Sequence, residues 1–455
     1  MTVEEDPTPP PDSPDPGTRR ERLLALRRRV FVDLSPLRES RDFRLIYAGQ
    51  FVSIVGRQLT VVASSLQVFL LTDSSLAVGL LGLAQLGPLL VCSLVGGAIA
   101  DAFDRRRTLM WTQVALAATS VGLALNASVD APLLWPIFVL TAASAGLSAI
   151  DGPTRTAAIA TLVRREQIPA AAALQQTAFQ VSLIAGPSLA GLVIAQVSVA
   201  AAYWLDAITF SVVLLSVMLV RPLIPEGGGT RPGLHSVREG LRFLRRERAI
   251  QGTFLVDINA MVFGMPRALF PELGLVQFGG GPQTVGLLYA APGVGALLAA
   301  LTTGWVSQVR RPGWAVLMAV LAWGAAIAAF GLVPWLAVGL GLLAVAGAAD
   351  VVSAVFRNTI LQLQVPDRLR GRLNAINVGV VTGGPRLGDL EAGGVAALTT
   401  VRVSVVSGGL ACMAGVALVA RLIPELAAWT PPKTEADDSA ADPDVDREGD
   451  ADAQP

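Results

Sequence analysis

Long apolar stretches alternate with short polar segments along most of the chain. Twelve stretches are long enough to cross the hydrocarbon core of a bilayer, which is about 30 Å thick and takes roughly 20 helical residues. The predicted spans are 43–71, 76–100, 108–126, 133–152, 171–195, 199–220, 249–275, 283–306, 314–332, 335–356, 373–398 and 402–424. The pattern therefore predicts an all-α membrane protein with 12 transmembrane helices.

The two halves of the chain share sequence at a nearly constant offset. The motif Val-Gly-Leu-Leu begins at Val78 in the second predicted span and again at Val285 in the eighth, 207 residues later. Arg155 and Arg357 follow the fourth and tenth predicted spans at an offset of 202. Duplicated halves of this kind are how many secondary transporters build a site near the bilayer midplane. The repeat therefore predicts two pseudo-symmetric six-helix bundles that move against each other.

The same pattern divides the chain into five segments. The predicted segments are a cytoplasmic tail at 1–42, an N-terminal bundle at 43–220, a linker at 221–248, a C-terminal bundle at 249–425 and a disordered acidic tail at 426–455. In the linker, leucines and a valine recur every three or four positions among arginines, which predicts an amphipathic helix on the membrane surface. This helix could tether the two bundles or hold them in a preferred position.

Composition and charge strengthen the membrane prediction and orient it. Hydrophobic residues make up 53% of the chain and charged residues 15%, which lies outside the usage of soluble domains. The basic residues fall in alternate loops, at Arg105–Arg107, Arg155 with Arg164 and Arg165, 231–248, Arg310 with Arg311, and 368–372. The positive-inside rule predicts that these loops and both termini are cytoplasmic, in a multi-pass protein of the plasma membrane.

Residue counts exclude several chemistries. Lys433 is the only lysine and lies in the acidic tail, so a phosphate-binding loop with its lysine cannot be built. His235 is the only histidine, and Cys92 and Cys412 lie in separate apolar spans, which leaves no plausible metal or haem cluster. We expect no enzyme activity, no cofactor beyond a proton gradient and no nucleic-acid partner.

A short motif stands where the second span meets its basic loop. Gly97, Asp101, Arg105 and Arg106 resemble the cytoplasmic signature of the major facilitator superfamily, G-x-x-x-D-x-x-G-R-[RK]. The resemblance implies a latch in which Gly97 allows close helix packing and Asp101 accepts hydrogen bonds from a facing helix end. Ordinary positive-inside charge would explain the arginines, but not Gly97 and Asp101 at this spacing.

The latch motif departs from the signature in both halves. Asp104 replaces the second glycine, which predicts a weaker or differently partnered contact. The corresponding segment of the second half keeps Gly304 but has Gln308 where the first half has Asp101. The latch is therefore predicted to be one-sided.

Other motifs resemble one branch of that superfamily, the drug and siderophore exporters typified by the enterobactin exporter. The resemblance covers 42–427, and its most specific motifs are at 286–291 and 361–372. It implies a proton-coupled exporter of a bulky amphipathic molecule, siderophore or drug-like, that works as an antiporter by alternating access. The implied partners are this cargo, protons and membrane lipids, and we expect a monomer. Gly186, Pro187 and Gly191 resemble the antiporter signature of the fifth helix, where Pro187 predicts a kink.

Ionisable residues inside spans are costly and usually mark a pathway, a relay or an ion pair. The candidates are Arg57, Asp151, Asp206, Asp257, Asp350, Asp389 and Glu391. Proton coupling needs a carboxylate that binds and releases protons near neutral pH, and the candidates for this are Asp350, Asp389 and Glu391. Asp389 and Glu391 point about 200° apart on a helix, so only one can face the cavity. Each could instead be structural.

The remaining candidates are predicted to be gates, scaffolds or cargo contacts. Asp151 and Arg155 lie four residues apart, which favours an ion pair within one helix, and together with Arg357 they are candidate inner gates. Asp206 is predicted to be a structural hydrogen-bond acceptor. Arg57 should have a carboxylate partner or attract an anionic cargo, unless it extends toward the membrane surface for structural reasons.

Two other functions are compatible with the sequence. The chain could be a sensor or assembly protein that keeps this fold but has lost transport, which the degenerate second latch and the altered first helix favour. Acidic residues within the spans argue against that function. Import by proton symport would need the same helices and is disfavoured only by the family resemblance.

Overall fold

The computed structural model describes residues 33–221, 242–302 and 309–431. The long helices in these ranges are α1 Arg41–Thr72, α2 Ser75–Ala102, α3 Arg105–Ala127, α4 Leu134–Leu162, α5 Ile168–Gln196, α6 Val199–Met218, α7 Arg248–Phe263, α8 Gly281–Leu301, α9 Pro312–Leu332, α10 Leu336–Gln364, α11 Asp367–Leu398 and α12 Val401–Leu422. Short helices at Ser35–Glu39 and Pro424–Ala428 flank them. Most of the predicted linker helix and of both tails lies outside the described residues.

Polar side chains in the loops fix where several helices begin. The hydroxyls of Ser40, Ser74, Ser198 and Thr400 each accept a hydrogen bond from a backbone N–H in the first turn of the following helix. The Asp104 carboxylate does the same at the start of α3. Such caps satisfy N–H groups that have no partner within the helix. These five side chains therefore give partners to backbone N–H groups at the starts of their helices.

Eleven of the helices in the described ranges are long and apolar enough to cross a bilayer. The remaining long helix is α11, which has 32 residues but carries Arg386, Asp389 and Glu391. It packs along α2 and also contacts α7 and α12. These charges lower the hydropathy of α11 without removing it from the bundle. The predicted architecture of 12 membrane helices is confirmed.

Helices α4 and α10 are longer than the sequence predicted. Their spans were expected to end at residues 152 and 356, but the helices continue to Leu162 and Gln364. Arg155 and Arg357 therefore lie inside the helices, with only 4% and 7% of their surface exposed. Hydropathy ends an apolar span near its arginine, whereas the helix itself continues because a paired arginine can stay in a buried helix.

The seventh predicted span is broken rather than continuous over 249–275. Helix α7 ends at Phe263, just before Pro266, because proline has no N–H and disfavours helical geometry in the preceding residue. The Trp323 indole N–H donates to the Gly264 carbonyl over 2.8 Å and satisfies an acceptor at the break. The chain then continues through short helical turns from Arg267 to Gln277. The break positions Arg267 and the N–H of Ala268 beside α11.

Each half of the chain forms its own bundle, with α1–α6 in the N-terminal bundle and α7–α12 in the C-terminal bundle. Buried aromatic residues, including Trp323 and Phe330, lie in the core of the C-terminal bundle. The main contacts between the bundles run along α2 with α11 and along α5 with α8. We call the end of the helices that carries Arg105 and Arg164 the basic end, and the other end the opposite end.

Candidate functional site

A buried polar network occupies the N-terminal bundle between α3 and α4. Arg155 donates from Nε and Nη2 to Asp151 Oδ2, over 3.2 and 2.8 Å. Thr112 and Gln113 of α3 donate to the other oxygen, Asp151 Oδ1, over 3.0 and 2.7 Å. The predicted ion pair within α4 is confirmed, and each carboxylate oxygen accepts two hydrogen bonds. The role of this pair as a gate stays a prediction.

Asp206 of α6 is fixed by hydroxyl groups from other parts of the bundle. Thr60 of α1 and Ser120 of α3 donate to Asp206 Oδ2, over 2.6 and 2.8 Å. The Thr209 hydroxyl donates to the Asp206 backbone carbonyl over 2.7 Å and also lies 3.4 Å from Asp206 Oδ1. Asp206 is only 1% exposed. It joins three helices as a hydrogen-bond acceptor, as the sequence predicted.

Arg57 of α1 lies near both of these carboxylates without binding either. It interacts electrostatically with Asp151 and Asp206 and with the like charge of Arg155. Its Nε is buried and has no hydrogen-bond partner among the described residues. The side chain as a whole is only partly buried. Because the Nη atoms are not among the buried unpartnered atoms, they reach accessible space in the bundle.

In the C-terminal bundle, an ion pair connects two helices. Arg357 Nη1 of α10 donates to Asp257 Oδ1 of α7, and both side chains are buried. The second oxygen, Asp257 Oδ2, has no hydrogen-bond partner among the described residues. This contact therefore depends on the relative position of α7 and α10.

Asp350 lies on the same face of α10, seven residues before Arg357. It is partly exposed, and no hydrogen bond to its carboxylate is found among the described residues. It interacts electrostatically with Arg357, Asp257 and Arg267. Ser353 lies between Asp350 and Arg357 on this face and is fully buried with an unpartnered hydroxyl. The structure thus brings Asp350 together with the buried ion pair.

Asp389 is held at the contact between the bundles. Its Oδ1 accepts a hydrogen bond of 3.1 Å from the N–H of Ala268, in the turn that follows the break in α7. A Cβ atom built on Gly82 of α2 would lie 3.2 Å from Asp389 Oδ2, so α2 and α11 pack closely here. Arg386 and Arg267 interact electrostatically with this carboxylate.

Glu391 has a different environment from Asp389. It is partly buried, and no described residue forms an ion pair or hydrogen bond with it. The two carboxylates lie two positions apart on the helix, and Asp389 contacts α2 and the turn after α7. The expectation that they point in different directions agrees with this arrangement, while the coupling role of either stays a prediction.

Several residues around Asp389 were not predicted from the sequence. Arg267 and Arg386 were not among the charged candidates, although both lie in predicted spans. Tyr289 of α8 donates to the Arg267 carbonyl over 3.0 Å and packs edge-on against Phe270. The signal for Arg386 was its position three residues before Asp389, one helical turn away. No comparable local signal marked Tyr289.

The bundles are also joined at the opposite end. Ser75, at the start of α2, donates to Glu272 Oε2 over 2.5 Å. Gly191 of α5 faces α8 so closely that a Cβ built on it would lie 2.8 Å from the Pro282 carbonyl and 3.1 Å from Gly286 Cα. At the basic end, the described ion pairs of Arg164 with Glu39 and Arg248 with Glu425 each stay within one half of the chain.

The predicted motif of the fifth helix has two separate roles. Gly186 packs against Gln58 of α1 within the N-terminal bundle, whereas Gly191 packs against the C-terminal bundle. Helix α5 continues through Pro187. The motif therefore joins α5 to a neighbour on each side.

The latch residues are only partly described. Gly97 and Asp101 belong to α2, but the packing at Gly97 and the side chain of Asp101 lie outside what the structure describes, as does the whole segment with Gly304 and Gln308. Arg106 donates to the carbonyls of Val217 and Met218 at the end of α6. Arg105 donates to the Ala157 carbonyl of α4 over 3.3 Å. These contacts hold helix ends of the same bundle together.

Solved structures of transporters share this fold. The nucleoside transporter NupG matches with a TM-score of 0.70 at 11% identity, covering 85% of this chain and 100% of its own. A D-xylose-proton symporter matches with a TM-score of 0.66 at 14% identity, covering 85% and 99%. A bacterial homologue of the human lysosomal transporter Spinster, in an inward-facing and unoccupied conformation, matches with a TM-score of 0.67 at 14% identity, covering 86% and 98%.

Sequence relatives carry the comparison further. The enterobactin exporter EntS of Shigella boydii serotype 18 is 30% identical over 410 residues, which is 90% of this chain and 98% of the relative. EntS of Escherichia coli O139:H28 matches to the same extent. The model of the family described as transmembrane secretion effector matches residues 32–453. As its sequence predicted, the chain belongs to this family of the major facilitator superfamily and is a multi-pass membrane transporter.

Proposed function

We propose that the protein is a proton-coupled exporter of an amphipathic organic molecule, siderophore or drug-like, that works by alternating access. The observation that carries the proposal is Asp350, a carboxylate within the membrane helices that is partly exposed and free of described hydrogen bonds. Asp151 and Asp206 are buried and hydrogen-bonded instead. Glu391 is also partly buried and without described hydrogen bonds, but of the two it is Asp350 that interacts electrostatically with Arg357, Asp257 and Arg267. Asp350 is therefore the better placed to couple proton exchange to the positions of the helices.

A change of charge on Asp350 would reach the contact between the bundles through Arg267. Arg267 interacts electrostatically with Asp350 and with Asp389. When Asp350 is ionised, it competes with Asp389 for this cation, and when Asp350 is protonated, Arg267 favours Asp389. Asp389 in turn contacts α2 across the interface. Protonation of Asp350 thus favours closure at the opposite end.

The close contacts between the bundles at the opposite end support an inward-facing state in this scheme. We propose that the basic end is cytoplasmic, that both termini lie on that side of the plasma membrane, and that 43–220 and 249–425 move as two units of a monomer. The close contacts of Gly191 and Ser75 then lie at the extracellular end. Cargo would enter from the basic end and leave after these contacts open.

Transport into inverted membrane vesicles tests the proposal. Enterobactin, the molecule named for the relatives, is the first cargo to assay, followed by amphipathic dyes. An imposed gradient with an acidic lumen should drive accumulation by the wild-type protein. Asp350→Asn should lower this gradient-driven accumulation at least about tenfold, a barrier or coupling change of about 1.4 kcal/mol. The matched control is Asp130→Asn, which alters an exposed loop carboxylate.

The outcomes separate the competing functions. Full activity of the Asp350→Asn variant at normal abundance would refute its coupling role and direct attention to Asp389→Asn and Glu391→Gln. Accumulation only with the opposite gradient would indicate proton symport and import. Absence of transport for every cargo, with intact protein in the membrane, would favour a sensor or assembly role.

A further inference from the structure

One face of α1 carries three polar side chains, each with a buried atom that has no partner among the described residues. Gln50, Ser53 and Arg57 follow at intervals of three and four residues, so they share a face of the helix. Gln50 Oε1, Ser53 Oγ and Arg57 Nε are each buried without a hydrogen-bond partner among the described residues. Ser53 is only 1% exposed. Buried polar groups are nearly always paired, so three unpaired atoms on one face indicate a place for a polar ligand or water.

Arg57 makes no described ion pair, and three of the four oxygens of the nearby carboxylates already accept two hydrogen bonds each. Both oxygens of Asp151 accept two hydrogen bonds each. Asp206 accepts hydrogen bonds on Oδ2 from Thr60 and Ser120. These carboxylates attract Arg57 electrostatically but leave its donors free. The bundle thus holds the Arg57 guanidinium beside these carboxylates while its N–H groups make no hydrogen bond to the described residues.

A second arginine completes the same region. Arg155 uses Nε and Nη2 for Asp151, while its Nη1 is buried and unpartnered. Gln113 uses its amide N–H for Asp151, and its Oε1 is also buried and unpartnered. Arg57 and Arg155 are close enough to interact unfavourably as like charges. An anion that binds to both would relieve this repulsion and satisfy unpaired donors.

We propose that Arg57, with Arg155 and Ser53, forms an anion-binding site in the N-terminal bundle that takes the carboxylate of an amphipathic organic acid. The unpaired acceptors of Gln50 and Gln113 suit a hydroxyl group placed beside that carboxylate. Guanidinium groups bind carboxylates in a fixed planar geometry, which would orient the molecule as well as hold it. This inference rests on the proposed function because it assigns a charge to the cargo.

Equilibrium dialysis with purified full-length protein in detergent tests the site without any transport step. Radiolabelled salicylate serves as the probe, since it has a carboxylate beside a hydroxyl, and unlabelled benzoate and salicylamide serve as competitors. Salicylate should bind more tightly than benzoate, and at least about tenfold more tightly than the uncharged salicylamide. Equal affinities of salicylate and salicylamide, or no saturable binding, would overturn the proposal.

Variants distinguish recognition from folding. Arg57→Gln should weaken salicylate binding at least about tenfold, and Ser53→Ala by a smaller factor. Arg57→Lys keeps the charge but not the planar donors, so its affinity should be intermediate. Arg164→Gln is the control, because this arginine is exposed at the basic end. Affinities are compared between variants whose thermal unfolding midpoints match that of the wild-type protein. Unchanged affinity in a folded Arg57→Gln protein would refute the site.

The dialysis result can differ from the transport result. Binding of salicylate that depends on Arg57, in a protein without gradient-driven transport, would retain the site and refute the exporter. Gradient-driven transport of neutral or cationic cargo, with no salicylate binding, would retain the exporter and refute the site.

Discussion

The two bundles keep an arginine at corresponding positions but pair it differently. In the N-terminal bundle, Arg155 binds Asp151 of the same helix, and α3 supplies two further donors to that carboxylate. In the C-terminal bundle, Arg357 binds Asp257 of another helix, whose second oxygen has no described partner. The first pair is satisfied locally, whereas the second depends on how α7 and α10 lie against each other.

This difference suggests a division of roles between the bundles. The N-terminal bundle has its carboxylates fixed by several donors and leaves Arg57 free. The C-terminal bundle has a broken α7 and an accessible Asp350 beside its ion pair. A rigid network suits recognition, while a pair between two helices can change when those helices move. The retained arginine is therefore compatible with binding in one half and coupling in the other.

The largest expected effect comes from removing the two arginines separately. Arg357→Gln leaves Asp257 buried with no partner and should lower stability by about 3–5 kcal/mol. Arg155→Gln leaves Asp151 with Thr112 and Gln113 and should cost about 1–3 kcal/mol. Thermal unfolding in detergent should therefore show a lower midpoint for Arg357→Gln.

The double variant Asp257→Asn/Arg357→Gln controls for the unpaired charge. It should recover much of the lost stability, because it removes both members of the pair. Equal midpoints for the two single variants would contradict the contrast between the bundles.

A second test acts on the contact between the bundles. Gly191→Leu places a side chain against Pro282 and Gly286 and should destabilise the closed opposite end by about 1–3 kcal/mol, a population shift of about 5- to 150-fold. The reporter is Ser65→Cys, near Tyr289, in a protein with Cys92 and Cys412 replaced by serine. This cysteine should react faster in the Gly191→Leu variant with an impermeant maleimide added on the side of the membrane that faces the opposite end.

Gly394→Leu is the matched control for this experiment. A Cβ built on Gly394 meets nothing within 4 Å, so its replacement should leave the labelling rate near that of the parent. Equal rates for Gly191→Leu and its parent would show that this contact does not hold the opposite end closed.

The smallest expected effect concerns the donors of Asp206. Thr60→Val removes one hydrogen bond to a buried carboxylate that keeps the Ser120 hydroxyl as a donor. We expect a loss of about 0.5–1.5 kcal/mol in stability and no change in proton dependence, because the carboxylate is not left without a donor. Ser93→Ala, at an exposed helix position, is the control. A changed proton dependence of transport would assign Asp206 a coupling role instead.

The sequence by itself determined the number of helices, the repeat and the family. Each of these depends on local or repeated features, because a helix that crosses a bilayer must satisfy its own backbone and bury about 20 mainly apolar residues. The i to i+4 pair of Asp151 and Arg155 was predictable for the same reason, since both partners lie on one helical turn.

Only the tertiary structure decided which charges meet. Asp257 pairs with Arg357, a hundred residues away, and Asp389 accepts a hydrogen bond from the N–H of Ala268 after the break in α7. The predicted apolar spans ended before Arg155 and Arg357, although α4 and α10 continue through these buried arginines to Leu162 and Gln364. Whether a charge within the membrane is paired depends on which helix faces pack together, and no single stretch of sequence contains that information.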